Sequence, residues 1–282
     1  GTSLKNARYL TLTNLHNRNS VSASDLELYR QGMVKMLNSL SAELNILRNS
    51  LFETAMEVVA HNLNHRNNSL RLFEFGKAYS TSGSGEYIEA EKLCIVLSGN
   101  SIDNSWKQKS PAADFYALKG IVTAILKLLG ITGYSIEAIP VSKLNNHIVF
   151  KLNGEIIAGA GEVAKKILDK FGIRQPVLFA GLNWALLSEL ATKQLPVIKS
   201  ISKFPVVQRD LALIVPKQLQ YEEVEKTVQK IKPGTLQEIR LFDIFESEKL
   251  GAGKKSMAIN FTFSDEEKTL TDEEIDNWMN RI

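Results

Sequence analysis

The rhythm of apolar and polar positions changes several times along the chain, and each change marks an element. Residues 24–37, SDLELYRQGMVKML, read as a helix with Ser24 as its cap. A second helix is expected over 49–65, where Leu51, Ala55, Val58, Val59 and Leu63 share one face. SLRLFEFGKAYS (69–80) switches to strand composition, and TSGSGEYIEAE (81–91) reads as a loop by its Gly and Ser content. KLCIVLSG (92–99) is a compact apolar run of strand length, followed by the polar, irregular NSIDNSWKQKSPAAD (100–114). FYALKGIVTAILKLLGI (115–131) predicts a helix ending at Gly130. HIVFKLNG (147–154) and EIIAGAG (155–161) read as short strands joined at the turn pair Asn153-Gly154. Together these predict a mixed α+β domain with a largely antiparallel sheet.

ATKQLPVIKSISKFPVVQ (191–208) loses periodicity and carries Pro196 and Pro205, which places a domain boundary at 197. Residues 198–282 then run strand (210–215), helix (221–231), strand (238–247), strand (256–264), helix (271–281). That β-α-β-β-α order is a ferredoxin-like plan short of its last strand. A chain ending at Ile282 is therefore expected to be truncated, a piece of something longer.

Composition narrows the class without naming a function. A hydrophobic share of 44% and a charged share of 23% belong to a globular chain. No apolar run approaches the length of a membrane span. One cysteine, Cys94, rules out an intrachain disulfide and suits a reducing cytoplasm. The net charge of +3 splits unevenly: 21 Lys+Arg against 16 Asp+Glu up to residue 197, then 13 against 15. The second part, at −2, does not bind its partner by blanket attraction.

Several candidate chemistries fail on spacing. GAGKKS (251–256) resembles the end of a phosphate loop, but the required earlier glycine is replaced by Glu248 or Lys249. A strand-like run follows it where a helix is needed. His61 and His65 stand at i and i+4, yet Asn62 replaces the glutamate of a zinc hydrolase and no third ligand is evident, which leaves a solvated or capping pair. His16 and His147 have no obvious partners. Cys94 lies in an apolar strand, where a thiol packs as a small hydrophobe. Leu118–Gly120 and Phe73–Gly76 read as packing and turn positions.

The second part offers more. In 256–263, Met257, Ile259, Phe261 and Phe263 point toward the helices, leaving Ser256, Ala258, Asn260 and Thr262 on the other side. In 210–215, Leu211, Leu213 and Val215 belong to the core and leave Asp210 and Ala212 outward. In 241–246, Phe242 and Ile244 suit the core, which puts Asp243 and Phe245 on the open face. An aromatic beside a carboxylate among small residues suits a flat ring, as in single-stranded base recognition on sheets. A solvent-exposed face, or one buried against a partner, remains open from composition alone.

The motifs KFPVVQRDLALIV, LFDIF and GKKSMAINFTFSDEEKTLTDEEI closely resemble the ferredoxin-fold anticodon-binding domain that ends the beta subunit of bacterial phenylalanine–tRNA ligases. LNSLSAELNILRNSLFETAMEVVAHNLNHRNNSLRLFEFGKAYS and DFYALKGIVTAILKLLGI are similar to the catalytic-like module of the same subunit. The resemblance spans essentially the whole chain. It implies a non-catalytic copy of the class II synthetase fold over 1–197 and an anticodon-binding domain over 198–282. The implied setting is a cytoplasmic (αβ)2 ligase that charges tRNA(Phe), with catalysis in the alpha subunit. ATP and magnesium would serve the whole enzyme, and no cofactor is implied for this stretch.

Class II catalysis needs an arginine on the motif 2 strand to hold the ATP α-phosphate as charge develops. GKAYS offers Ser80 at that place, and GAGEVAKKIL has no motif 3 arginine. In the second domain the resemblance implies that Phe245 stacks the first anticodon base, with Asp243, Ala212 and Ser256 lining the pocket. Many relatives have tyrosine there, so any contact through its hydroxyl is lost. Lys254, Lys255 and Arg209 are implied phosphate contacts. The alternative is a non-enzymatic scaffold whose open sheet face binds protein, and an independent ATP-using enzyme is a third reading.

Overall fold

Strand β4 (Glu86–Ser98) shows why the first unit folds in layers. Its apolar run alternates between two cores: Cys94 and Val96 join one cluster, while Leu93, Ile95 and Leu97 join another. A strand apolar on both faces must be covered on both. The computed structural model of the chain describes residues 9–10, 32–34, 36, 46–83, 86–102, 106–107, 110–193, 203–231, 234–247, 250–251 and 253–282. Most of the expected helix over 24–37, His16 and most of the stretch around the expected boundary at 197 lie outside the described residues; of that helix, Gly32 is helical and residues 33, 34 and 36 are not. The chain divides into two compact units, Gly1–Pro196 and Val197–Ile282.

In the first unit β1 (Tyr9–Leu10) pairs with β2 (Ile46–Leu47). Six further strands form an antiparallel sheet in the order β3 (Leu70–Gly83), β4, β8 (Val177–Asn183), β7 (Glu155–Val163), β6 (Leu144–Leu152) and β5 (Ser135–Ala138). Helix α1 (Phe52–Asn64) contributes Phe52, Ala55, Met56 and Val59 to the first cluster. Helix α2 (Phe115–Leu128) contributes Leu118, Val122 and Leu126 to the second. Asp114 caps α2 by accepting from the Ala117 N–H at 2.8 Å. Short helix α3 (Lys165–Leu168) precedes β8, and α4 (Trp184–Thr192) follows it.

Several sequence expectations are corrected here. The expected loop 81–91 is mostly strand: β3 runs to Gly83 and β4 begins at Glu86, so these residues form the arms of one long hairpin. Phe73 and Phe75 are exposed on β3, Gly76 lies within that strand, and Gly120 lies within α2, so none of them marks a turn. The Asn153-Gly154 turn stands as expected, with both residues at positive φ (52° and 85°).

The second unit places β9 (Val207–Pro216), α5 (Tyr221–Ile231), β10 (Leu236–Phe245), β11 (Lys254–Phe263) and α6 (Asp272–Met279) in β-α-β-β-α order. Its sheet is antiparallel, ordered β10-β11-β9. Met257, Ile259, Phe261 and Phe263 are fully buried in one cluster with Val228 of α5 and Ile275 of α6. Thr271 starts α6 with a reciprocal cap: its hydroxyl accepts from the Glu274 N–H, and the Glu274 carboxylate accepts from the Thr271 N–H. Both helices serve one sheet face, and the other is left uncovered by the described residues of this unit.

Candidate nucleic-acid interface

Strand register arranges the uncovered face in rows. Phe245 of β10 lies opposite Ser256 of β11, which lies opposite Ile214 of β9. The next row is Asp243, Ala258, Ala212, and beyond it lie Arg240, Asn260, Asp210. These residues alternate along β11 with the buried Met257, Ile259 and Phe261, so the rows share the open side. Phe245 is 57% exposed and Ile214 59%, with only the Ser256 hydroxyl between them. Ala258 and Ala212 keep the next row low, with the exposed Asp243 carboxylate at its end. The third row is tied by Asn260 Nδ2 donating to Asp210 Oδ1 at 2.7 Å. Lys217 and Glu246 pair at 2.7 Å just beyond the Phe245 row.

A β-bulge sets this arrangement. Ile239 pairs with Phe261 and Leu241 with Ile259, but the next partner of β11, Ala258, faces Asp243, leaving Phe242 as the extra residue. Without that insertion, period two would carry Asp243 and Phe245 to the helix-covered side. The bulge corrects the expected core: Leu241 packs in it, whereas Phe242 is 51% exposed. Ile244 faces Met257 as expected but is also half exposed, beyond the edge of the core.

Of the residues singled out from sequence, Phe245, Asp243, Ala212, Ser256 and Lys254 come together on the open face or at its end, Lys254 lying opposite Pro216. Lys255 and Arg209 do not. Lys255 lies opposite Val215, and Arg209 opposite the buried Phe261, on the side the helices cover. The Arg209 guanidinium pairs with Asp272 in the first turn of α6. Two residues that sequence reasoning missed belong to the open face. Ile214 follows from Ala212 by simple alternation, and Arg240 follows from pairing with Asn260.

GAGKKS is a hairpin tip. Gly251 and Gly253 take positive φ (96° and 75°), and β11 begins at Lys254. The Lys254 N–H donates to Gly251, and Lys217 N–H donates to the Gly253 carbonyl at 2.9 Å. Among the described residues, the Lys254 N–H is thus committed within the hairpin.

Ser80, expected at the place of the motif 2 arginine, lies on β3. Arg48, which docks on β3, is buried, paired with Glu74 at 2.8 Å and donating to the Lys77 carbonyl at 2.9 Å. Among the described residues no group of three His, Cys, Asp or Glu side chains is placed to hold a metal. His61 and His65 stack at the end of α1, and His65 Nδ1 lies 2.7 Å from the His61 carbonyl, so the pair closes the helix. Cys94 is buried, and that burial pushes its thiol up to about 12, the wrong direction for a nucleophile.

A six-stranded antiparallel sheet followed by a ferredoxin-like unit with an open face defines the class: the architecture of class II aminoacyl-tRNA synthetases joined to an anticodon-binding module. In fold, the chain is similar to the pyrrolysyl-tRNA synthetase of Desulfitobacterium hafniense, with a TM-score of 0.50 at 15% identity over 67% of this chain and 62% of that one. The family model for the phenylalanyl tRNA synthetase beta chain CLM domain matches residues 11–184, and that for the ferredoxin-fold anticodon binding domain matches 202–282. The chain belongs to the phenylalanyl-tRNA synthetase beta chain family. It is 36% identical over 272 residues to the phenylalanine–tRNA ligase beta subunit of Bacteroides fragilis, covering 91% of this chain and 33% of that protein. The corresponding subunit of Porphyromonas gingivalis is 34% identical over 265 residues, covering 90% and 32%. The chain thus spans about a third of the length of the curated relatives it matches.

Proposed function

We propose that this chain is the tRNA-gripping part of a cytoplasmic phenylalanine–tRNA ligase, acting in the charging of tRNA(Phe) without carrying out the chemistry itself. The observation that carries the reading is the Phe245–Ser256–Ile214 row on an open sheet face. Phe245 offers a π-face, Ser256 leaves room beside it, and Asp243 supplies acceptors for the N–H groups of a base edge. Lys254 and Arg240 flank the shelf as phosphate contacts that position the strand without reading it. Residues 198–282 form the anticodon-binding domain. Residues 1–197 form a catalytic-like scaffold that packs on the alpha subunit of an (αβ)2 assembly. ATP and magnesium act elsewhere in that assembly, a reading supported by the neutral Ser80 and by the pairing of Arg48 with Glu74. In the assembled ligase, Phe245→Ala weakens tRNA(Phe) binding while phenylalanyl-adenylate formation is unchanged. Unaltered aminoacylation kinetics toward tRNA would overturn the assignment.

A second reading, that the open face docks a protein, draws support from the exposed apolar side chains of Phe242, Phe245 and Ile214. Filter binding of the assembled ligase to tRNA(Phe) and to an anticodon-altered tRNA separates the two. Equal retention of both tRNAs favours the protein-docking reading.

A further inference from the structure

The first unit contains a hollow that the proposed function does not use. On the sheet face that carries Cys94, Cys94 lies opposite Gly181, and Gly181 opposite Gly159, so two neighbouring strands present no side chain in this row. A cavity of about 270 Å³ opens there, with Asn49, Leu51, Lys92, Ile156, Phe179 and Asn183 among its lining. Packing does not demand glycine at 181. A Cβ there would meet only the Phe179 ring, at an ordinary 3.5 Å, and its backbone is not left-handed. Glycine within a strand weakens it; here it leaves the floor open.

Ser50 at the rim accepts from the Phe52 N–H at 2.9 Å, but among the described residues the other polar side chains at the hollow are unpartnered. Lys92 and Asn183 oppose each other across β4 and β8. Lys92 is half-buried, that burial lowers its pKa, and among the described residues it forms no ion pair. Among the described residues, the side chains of Asn49 and Asn183 have no hydrogen-bond partner. Leu51, Ile156 and Phe179 give apolar wall, and Cys94 adds a neutral thiol to the lining. The described lining includes no Asp or Glu, and the Glu74 carboxylate, in the row of Cys94 on β3, is already paired with Arg48 at 2.8 Å, so a ligand's cationic group would compete with Arg48 for its counter-charge.

We propose that this hollow binds a small organic carboxylate with an apolar body, its anion held by Lys92 and the amides of Asn49 and Asn183. A positive charge on the ligand is disfavoured, which separates the site from one for a zwitterionic amino acid. The volume lies just under the roughly 300–1,000 Å³ of drug-sized sites, too small for a nucleotide. The inference stands independently of the open face of the second unit.

Phenylacetate is the probe, titrated into the 282-residue chain by calorimetry and saturation-transfer NMR, with phenylacetamide and phenylalanine as comparators. Saturable phenylacetate binding is expected, with both comparators weaker by about tenfold or more. Lys92→Met weakens phenylacetate by a similar factor, and Gly181→Val fills the floor and abolishes binding, with thermal unfolding checked for each. If Gly181→Val fails to fold, Lys92→Met and the comparator series decide the outcome. No saturable binding to the unaltered chain, equal affinity for phenylacetamide, or undiminished affinity in Lys92→Met overturns the proposal.

Discussion

Arg209 and Arg240 sit on opposite faces of the same three-stranded sheet, and the contrast makes a sharp test. Each is changed to Met, which keeps the stem and removes the charge. Arg209 faces the helices, where its pair with Asp272 is partly screened: the two side chains are 33% and 87% exposed. Such a pair contributes about 0.2–1 kcal/mol, so Arg209→Met lowers the melting point of a unit this size by at most about 8 °C. Its effect on tRNA is expected to be small. Arg240 lies on the open face, two rows from Phe245. Its loss removes one phosphate-neutralising charge, which flattens the dependence of log affinity on log salt by about 0.7 for a single-stranded contact. The assay is tRNA(Phe) binding by the assembled ligase between about 50 and 200 mM salt. A flatter slope in Arg209→Met with an unchanged slope in Arg240→Met would refute the assignment of faces.

Two further predictions concern the first unit. Cys94 is expected to react with iodoacetamide in the native state about a thousandfold more slowly than in the unfolded chain, since its thiol is pushed from 9.0 up to about 12. The same shift stabilises the fold below pH 9.0, and that contribution is lost as pH rises from 9.0 toward 12, at up to about 1.4 kcal/mol per pH unit. Cys94→Ala should remove this slope from urea-unfolding profiles, and an unchanged slope would count against the burial account. Gly76→Ala places a Cβ against the Arg48 guanidinium, 2.9 Å from Glu74 Oε1 and 3.0 Å from Leu51 Cδ2. A cost of about 1–3 kcal/mol in urea unfolding is expected, and a loss under about 0.5 kcal/mol would show that Arg48 can give way.

How much of this was legible in the sequence depended on whether one period held through an element. Residues 210–215 alternate cleanly, which puts Leu211, Leu213 and Val215 in the core and Asp210 and Ala212 outward, as in the structure. In LFDIF four of five residues are apolar, and a bulge hides in such a run because it shifts parity without changing composition. Asp243 and Phe245 nevertheless fall on the open side in the sequence reading, because it puts Phe242, the extra residue, in the core with Ile244 in place of Leu241. Arg209 differs for another reason: its charge suggests a phosphate contact, whereas parity with Leu211 puts it on the helix side. The arms of the β3–β4 hairpin read as loop because Gly, Ser and Glu dominate 81–91. VLFAGLN, which forms β8, is buried for most of its length, so alternation gives no signal there.

The central claim is that Phe245 stacks one base of the tRNA anticodon. It is tested most directly by a double-mutant cycle in the assembled ligase, combining Phe245→Ala with tRNA(Phe) made abasic at the first anticodon position. Stacking of one base is worth about 1–3 kcal/mol, so each single change should weaken binding by that amount and the double change by little more than either alone. Fully additive losses, or no loss from Phe245→Ala with intact tRNA, would contradict it.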